Sequence, residues 1–93
     1  MNSYIILDTE TTGLNGSVCE IAWVTMDEDL NILDQHETLV DPERQIEPGA
    51  FAIHGISNEM CVGKPKLADV AKLLPESGWM ICHNAPFDTR MIA

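Results

Sequence analysis

A short apolar run at residues 4–7 leads straight into two carboxylates, Asp8 and Glu10, before Thr-Thr-Gly-Leu-Asn-Gly breaks it at residues 11–16. On an extended strand, residues two apart project to the same face. Two like charges on one face, beside a hydrophobic strand, are costly unless a cation or a proton lies between them. The run therefore predicts a buried core strand whose end carries a charge cluster. A second motif has the same build: apolar residues 79–82, then His83-Asn84-Ala85-Pro86-Phe87-Asp88. Together they point to Asp8, Glu10 and Asp88 as a carboxylate set for Mg²⁺ or Mn²⁺, hard ions that take oxygen ligands.

The rest of the chain supplies elements to frame these motifs. Residues 18–26 carry apolar side chains at both parities, Val18, Ala22 and Val24 on one and Ile21 and Trp23 on the other, which predicts a strand covered on both faces. Asp27-Glu28-Asp29 reads as a solvated turn, and residues 31–40 as a returning strand whose Asp34 and Glu37 suit a sheet edge. The first three strands thus form an antiparallel meander. Residues 50–56 predict a helical turn ended by Gly55, with Ser57 capping a further short turn. Leu67, Val70, Ala71 and Leu74 follow the spacing of an amphipathic helix between Pro65 and Pro75. The intervening helix makes the strand at residues 79–83 parallel to the first. Gly13 and Gly16 permit the turn after the first strand, and Pro86 opens a helix that has barely begun at Ala93.

A chain of 93 residues makes one small domain, and 45% hydrophobic content marks it as globular. No apolar stretch reaches the length of a membrane span, and the N-terminus lacks the pattern of a signal peptide. Cys19, Cys61 and Cys82 are odd in number and form no CxxC pair, which predicts free thiols in a cytoplasmic protein. The net charge of -10, with Arg44, Lys64, Lys66, Lys72 and Arg90 scattered, argues against a long basic groove for nucleic acid. It does not argue against phosphodiester chemistry, because bound divalent ions attract phosphate where side chains do not.

The ordered set of Asp8-Thr9-Glu10-Thr11-Thr12-Gly13-Leu14, Ala-Phe-Ala-Ile-His-Gly-Ile at residues 50–56, and His83-Asn84-Ala85-Pro86-Phe87-Asp88 resembles the DEDD-type 3′-5′ exonucleases. The likeness is to the branch that holds the DNA polymerase III epsilon proofreading subunit and RNase T. It implies an α/β, ribonuclease-H-like fold: a mixed sheet of three antiparallel strands plus one parallel, flanked by helices. It also implies hydrolysis of phosphodiester bonds at nucleic-acid 3′ ends by a two-metal mechanism. Asp8 would bridge the metals, Glu10 would complete the site of the attacking water, and Asp88 would support the second ion. Thr11, Thr12 and Leu14 become substrate contacts, and His54 falls near the terminal nucleotide. Gly49 stands where some relatives carry a glutamate. The family's third motif supplies a general-base histidine and a fourth aspartate; neither occurs in residues 1–93, so the resemblance implies a single, truncated exonuclease domain.

Its expected partner is a single-stranded DNA or RNA 3′ end, together with a polymerase or a second copy pairing along the open edge of residues 79–83, and no membrane. Two other readings stay open. The chain is also compatible with an incomplete half-domain that binds nucleotide or protein without turnover, and with a minimal nuclease in which another group replaces the missing base. At single residues, Asp88 also suits the first turn of the helix opened by Pro86. His83 and Asn84 suit backbone capping at that turn, and His36 reads as an exposed edge residue.

Overall fold

A computed structural model of the chain describes residues 3–75 and 78–82. Four strands form one sheet, β1 (Ser3–Thr11), β2 (Val18–Asp27), β3 (Ile32–Leu39) and β4 (Trp79–Cys82), in the order β3-β2-β1-β4. β1 pairs antiparallel with β2, β2 antiparallel with β3, and β4 parallel with β1. The meander and the parallel return are as the sequence predicts. Two short helices, α1 (Pro48–His54) and α2 (Leu67–Ala71), lie in the β3–β4 connection, with a 3-10 turn at Glu59–Cys61 between them.

Alternation decides which side chains are buried. Ile5 and Leu7 of β1 share a face with Ile21 and Trp23 of β2 and are almost fully inaccessible. Val18, Val40 and Val70 complete this cluster, with Leu67 and Leu74 packed against it. The apolar stripe of α2 thus covers one face of the sheet, although regular helix ends at Ala71, before Pro75. The opposite face differs from the sequence expectation. There Ile6, Trp79 and Ile81 are 43%, 64% and 51% exposed, and Ala22 and Val24 are only half-buried. β1 and β2 are thus fully buried on one side and only partly covered on the other.

Local chemistry explains the turns. Asp27 organises the β2–β3 turn by accepting from the backbone N–H groups of Asp29 and Asn31, each at 2.9 Å, and from Asn31 Nδ2 at 3.2 Å. These bonds, the Asn31 backbone first, hold its carboxyl below the usual range. Gly55 ends α1 in the left-handed region (φ 72°) and donates its N–H to Phe51 O at 2.8 Å, as a C-terminal glycine should. Ser57 Oγ accepts from Met60 N at 3.3 Å, although the N-cap of the 3-10 turn is Asn58 and not Ser57. His36 is not simply exposed: its ring stacks on Trp23 with centroids 4.6 Å apart. Cys19 and Cys61 are free and buried in a second cluster with Ile46 and Ile56. No helix among the described residues is long and apolar enough to cross a membrane.

Candidate functional site

β1 sits inside the sheet between β2 and β4, so whatever its end carries is presented at the centre of one sheet rim. Asp8 lies opposite Ala22 and Glu10 opposite Glu20. Directly opposed residues share a face, so Asp8, Glu10 and Glu20 project together from the face opposite to Ile5 and Leu7. Glu37, paired with Ala22, adds a fourth carboxylate on β3. Asp8 is exposed, and Glu10 and Glu20 are half-buried.

The electrostatics agree with the register. The Glu20 carboxyl is pushed up from its ordinary range, first by partial burial and then by the negative charges of Glu37, Glu10 and Asp8. His54 acts in the opposite sense. Glu20 is a residue that the sequence reading missed. Its only signal there is a lone charge between Cys19 and Ile21 in an otherwise apolar run, and the register is needed to set it against Glu10.

The pairing slips between Glu10 and Thr11: Glu10 faces Glu20, Thr11 faces Val18, and Cys19 is left as the extra residue of a bulge. Bulges bend and twist a strand and frequently re-aim side chains beside functional sites. Here the bulge lies on β2, immediately beyond the Glu10–Glu20 pair. Burial first, then the charges of Cys61, Glu10 and Glu20, pushes the Cys19 thiol up to about 12. Burial likewise raises Cys61. Neither thiol is placed to serve as a nucleophile.

The loop that follows is closed on itself. Thr12 N–H donates to Ser17 O at 2.9 Å, Ser17 N–H to Thr12 Oγ1 at 3.0 Å, and Gly16 N–H to Gly13 O at 3.0 Å. Thr12 is buried, Thr11 is half-buried and Leu14 is 90% exposed. The glycines serve close approach and not unusual backbone angles, since neither has a positive φ. A Cβ at Gly16 would lie 2.0 Å from Thr12 Oγ1, and a Cβ on Gly13 would run into the Glu47 carboxylate. Glu47, also missed in the sequence, therefore lies over the loop two residues before Gly49.

The segment around α1 clasps this loop. Glu47 N–H donates to Thr12 O at 2.8 Å, Arg44 Nη1 to Asn15 O at 3.3 Å, and His54 Nε2 stands 2.8 Å from Thr11 O. The structure thus brings Asp8, Glu10, Thr11, Thr12, Leu14 and His54 to one end of the sheet. Asp88 lies outside the described residues. Its motif begins in sequence immediately after Cys82, and Cys82 pairs with Leu7, the residue before Asp8. Among the described residues, no three His, Cys, Asp or Glu side chains are grouped tightly enough to hold a metal ion. The donor chemistry nonetheless suits a hard cation: the carboxylates of Asp8 and Glu10 share a face and stand in a field negative enough to raise Glu20.

Known proteins share this arrangement. Residues 5–93 match the RNase T family model, described as exonuclease. Exodeoxyribonuclease 10 of Escherichia coli (strain K12) is 44% identical over 87 residues, covering 94% of this chain and 39% of the relative. The DNA polymerase III subunit epsilon of Haemophilus influenzae is 33% identical over 98 residues, covering 94% of this chain and 38% of that protein. A solved structure of exonuclease X in complex with 5′ overhanging duplex DNA superposes with a TM-score of 0.88 at 41% identity, covering 97% of this chain and 54% of that one. E. coli exonuclease I in complex with a dT13 oligonucleotide superposes with a TM-score of 0.82 at 20% identity over 99% of this chain and 23% of that one, a likeness of fold. The chain spans about two fifths of the length of these curated relatives. The mixed sheet is the ribonuclease-H-like sheet of these exonucleases, and with the match running from the core of β1 to residue 93, this chain belongs to the RNase T exonuclease family.

Proposed function

We propose that the chain carries the metal-holding part of a 3′-5′ exonuclease site that hydrolyses phosphodiester bonds at single-stranded DNA or RNA 3′ ends. The observation that carries this reading is the register. Asp8 and Glu10 share a face at the end of the inner strand, and β4, whose Cys82 pairs with Leu7, lies alongside that strand. Asp8, Glu10 and Asp88 would hold Mg²⁺ or Mn²⁺. Such ions, when bound, neutralise phosphate charge, acidify an attacking water and stabilise the leaving oxygen.

The remaining work belongs to the chain's own residues. The backbone of Thr11 and Thr12 and the exposed Leu14 side chain form the surface that meets the terminal nucleotide, with His54 behind them. The loop's internal hydrogen bonds hold that surface in place before substrate arrives, which is how positioning lowers a barrier. The general-base histidine and fourth aspartate that the family resemblance calls for have no counterpart in residues 1–93. The free thiols support a cytoplasmic setting, and the epsilon-subunit relatives support a polymerase as companion.

The test is incubation with 5′-labelled single-stranded DNA and RNA in Mn²⁺, with Asp8→Ala alongside. The reading predicts that any shortening runs from the 3′ end and is abolished by Asp8→Ala and by EDTA. Internal cleavage, or a ladder indifferent to Asp8→Ala, would overturn it. The exposed apolar face bearing Ile6, Trp79 and Ile81 supports a second reading, a half-domain that binds nucleotide or protein without turnover. Metal and nucleotide binding with no shortening would favour that second reading.

A further inference from the structure

α1 is tied to the loop after β1 at both of its ends. At its start, Glu47 N–H donates to Thr12 O at 2.8 Å; at its end, His54 Nε2 stands 2.8 Å from Thr11 O. Two consecutive carbonyls, the first of them directly after Glu10, are thus held by one seven-residue helix. The other ring nitrogen fixes what His54 can do. Ile56 N–H donates to His54 Nδ1 at 3.0 Å. A backbone N–H can only donate, so Nδ1 accepts and carries no proton. In a neutral ring the proton is then on Nε2, aimed at an acceptor, the Thr11 carbonyl.

The sequence provides for each part of this arrangement. Gly55, in the left-handed region, turns the chain so that Ile56 N–H comes back over the ring. Ile56 is anchored in the buried cluster with Cys19, Ile46 and Cys61. Cys19 Sγ lies 3.9 Å from Nε2, a weaker contact than the oxygen at 2.8 Å. Both ring nitrogens are therefore committed to backbone, and a hydrogen bond from His54 to a nucleotide would require breaking one of them.

We propose that His54 is a positioning residue: pinned as the Nε2–H tautomer by Ile56, it holds the Thr11 carbonyl and so sets the loop that follows Glu10. This rests on the exonuclease reading only for what the loop is positioned to meet. Two variants separate the ring's functions. The amide nitrogen of glutamine stands as many bonds from Cα as Nε2 does, so His54→Gln keeps a donor for Thr11 O. The amide oxygen of asparagine stands where Nδ1 does, so His54→Asn keeps only the acceptor for Ile56.

Three readouts decide the matter. Long-range ¹H–¹⁵N spectra of the imidazole should show the Nε2–H tautomer; the Nδ1–H tautomer would overturn the proposal. Amide exchange at Thr12 and Ser17, whose N–H groups close the loop, should quicken about three- to tenfold in His54→Ala and His54→Asn, the loss of one ordinary hydrogen bond. His54→Gln should restore most of that protection, while the Asp27 amide in the β2–β3 turn stays unchanged in all three variants. Binding of thymidine 5′-monophosphate in Mn²⁺ should follow the same order. If His54→Gln behaves like His54→Ala in exchange and binding, the tether is not what matters and the proposal fails. If the wild type binds no nucleotide, the exonuclease reading fails, and the tautomer and exchange data still decide the role of His54.

Discussion

Gly16→Ala and Gly13→Ala change the same loop by the same single methyl, and the structure predicts different outcomes. At Gly16 the new Cβ would lie 2.0 Å from Thr12 Oγ1, 2.9 Å from Gly13 N and 3.1 Å from Gly13 O. Thr12 is 1% exposed and its Oγ1 already accepts from Ser17 N–H, so it cannot move aside without losing that bond. The lost bond costs about 1 kcal/mol, and forcing a methyl against backbone costs about 1–3 kcal/mol more. Alanine restricts the unfolded chain and returns about 0.4–1 kcal/mol. The net cost is about 1–3.6 kcal/mol, a fall in Tm of roughly 4–29 °C for a domain of this size. At Gly13 the obstacle is the free end of the exposed Glu47 side chain, 1.7 Å away, which can swing into solvent. That substitution should change stability by less than about 1 kcal/mol. Urea denaturation of both variants, with Thr12→Ala and the Thr12→Ala/Gly16→Ala double variant, completes the comparison. Removing Oγ1 should relieve part of the clash, so Gly16→Ala should cost less in the Thr12→Ala background. A Gly16→Ala protein as stable as wild type, or a Gly13→Ala protein that loses more, would refute the close-approach argument.

Other substitutions test the core and the charge cluster. Leu7→Ala empties a fully buried position in the inner strand and should cost about 2–5 kcal/mol by denaturation, unless the site collapses. The Glu20 carboxyl is raised in the folded state, so its charged form works against folding. That cost is absent below the unfolded pKa and complete above the folded one. Glu20→Gln in EDTA at pH 7 should therefore stabilise slightly, by about a few tenths of a kcal/mol once solvent screening is allowed for, a gain that vanishes in acid. A Glu20→Gln protein less stable than wild type at pH 7 would show that Glu20 makes a favourable contact. The Cys19 thiol, buried and pushed up to about 12, should resist iodoacetamide at pH 8 until the protein is unfolded, as read by peptide mass.

The strand order and the Asp8–Glu10 pair were legible because both rest on short-range rules. Alternation in β1, a polar turn at residues 27–29 and helical spacing through Leu67, Val70 and Ala71 each announce themselves within a few residues. What stayed hidden depends on long-range register. Nothing local in residues 18–22 says that Glu20 faces Glu10, or that Cys19 is left out of the pairing as a bulge. Gly13 and Gly16 suggest conformational freedom in the sequence, yet at Gly16 it is the buried Thr12 hydroxyl and the Gly13 backbone that leave no room for a side chain. The ring contacts of His54 were not legible, because its partners, Thr11 O and Ile56 N–H, are backbone groups that no sequence pattern shows. The expectation of cover on both faces of β2 rests on apolar residues at both parities, and among the described residues the Ile21 and Trp23 side is the buried one, while Ala22 and Val24 are only half-buried.

The central claim is that the end of β1 is a divalent-cation site. A Mn²⁺ titration followed by water proton relaxation measures it directly, using wild type, Asp8→Asn, Glu10→Gln and, as a control, Asp29→Asn in the turn at the far end of β2. The account predicts that Mn²⁺ binding is sharply weakened in Asp8→Asn and Glu10→Gln and unchanged in Asp29→Asn. Binding that survives both β1 substitutions, or falls equally in the control, would contradict it.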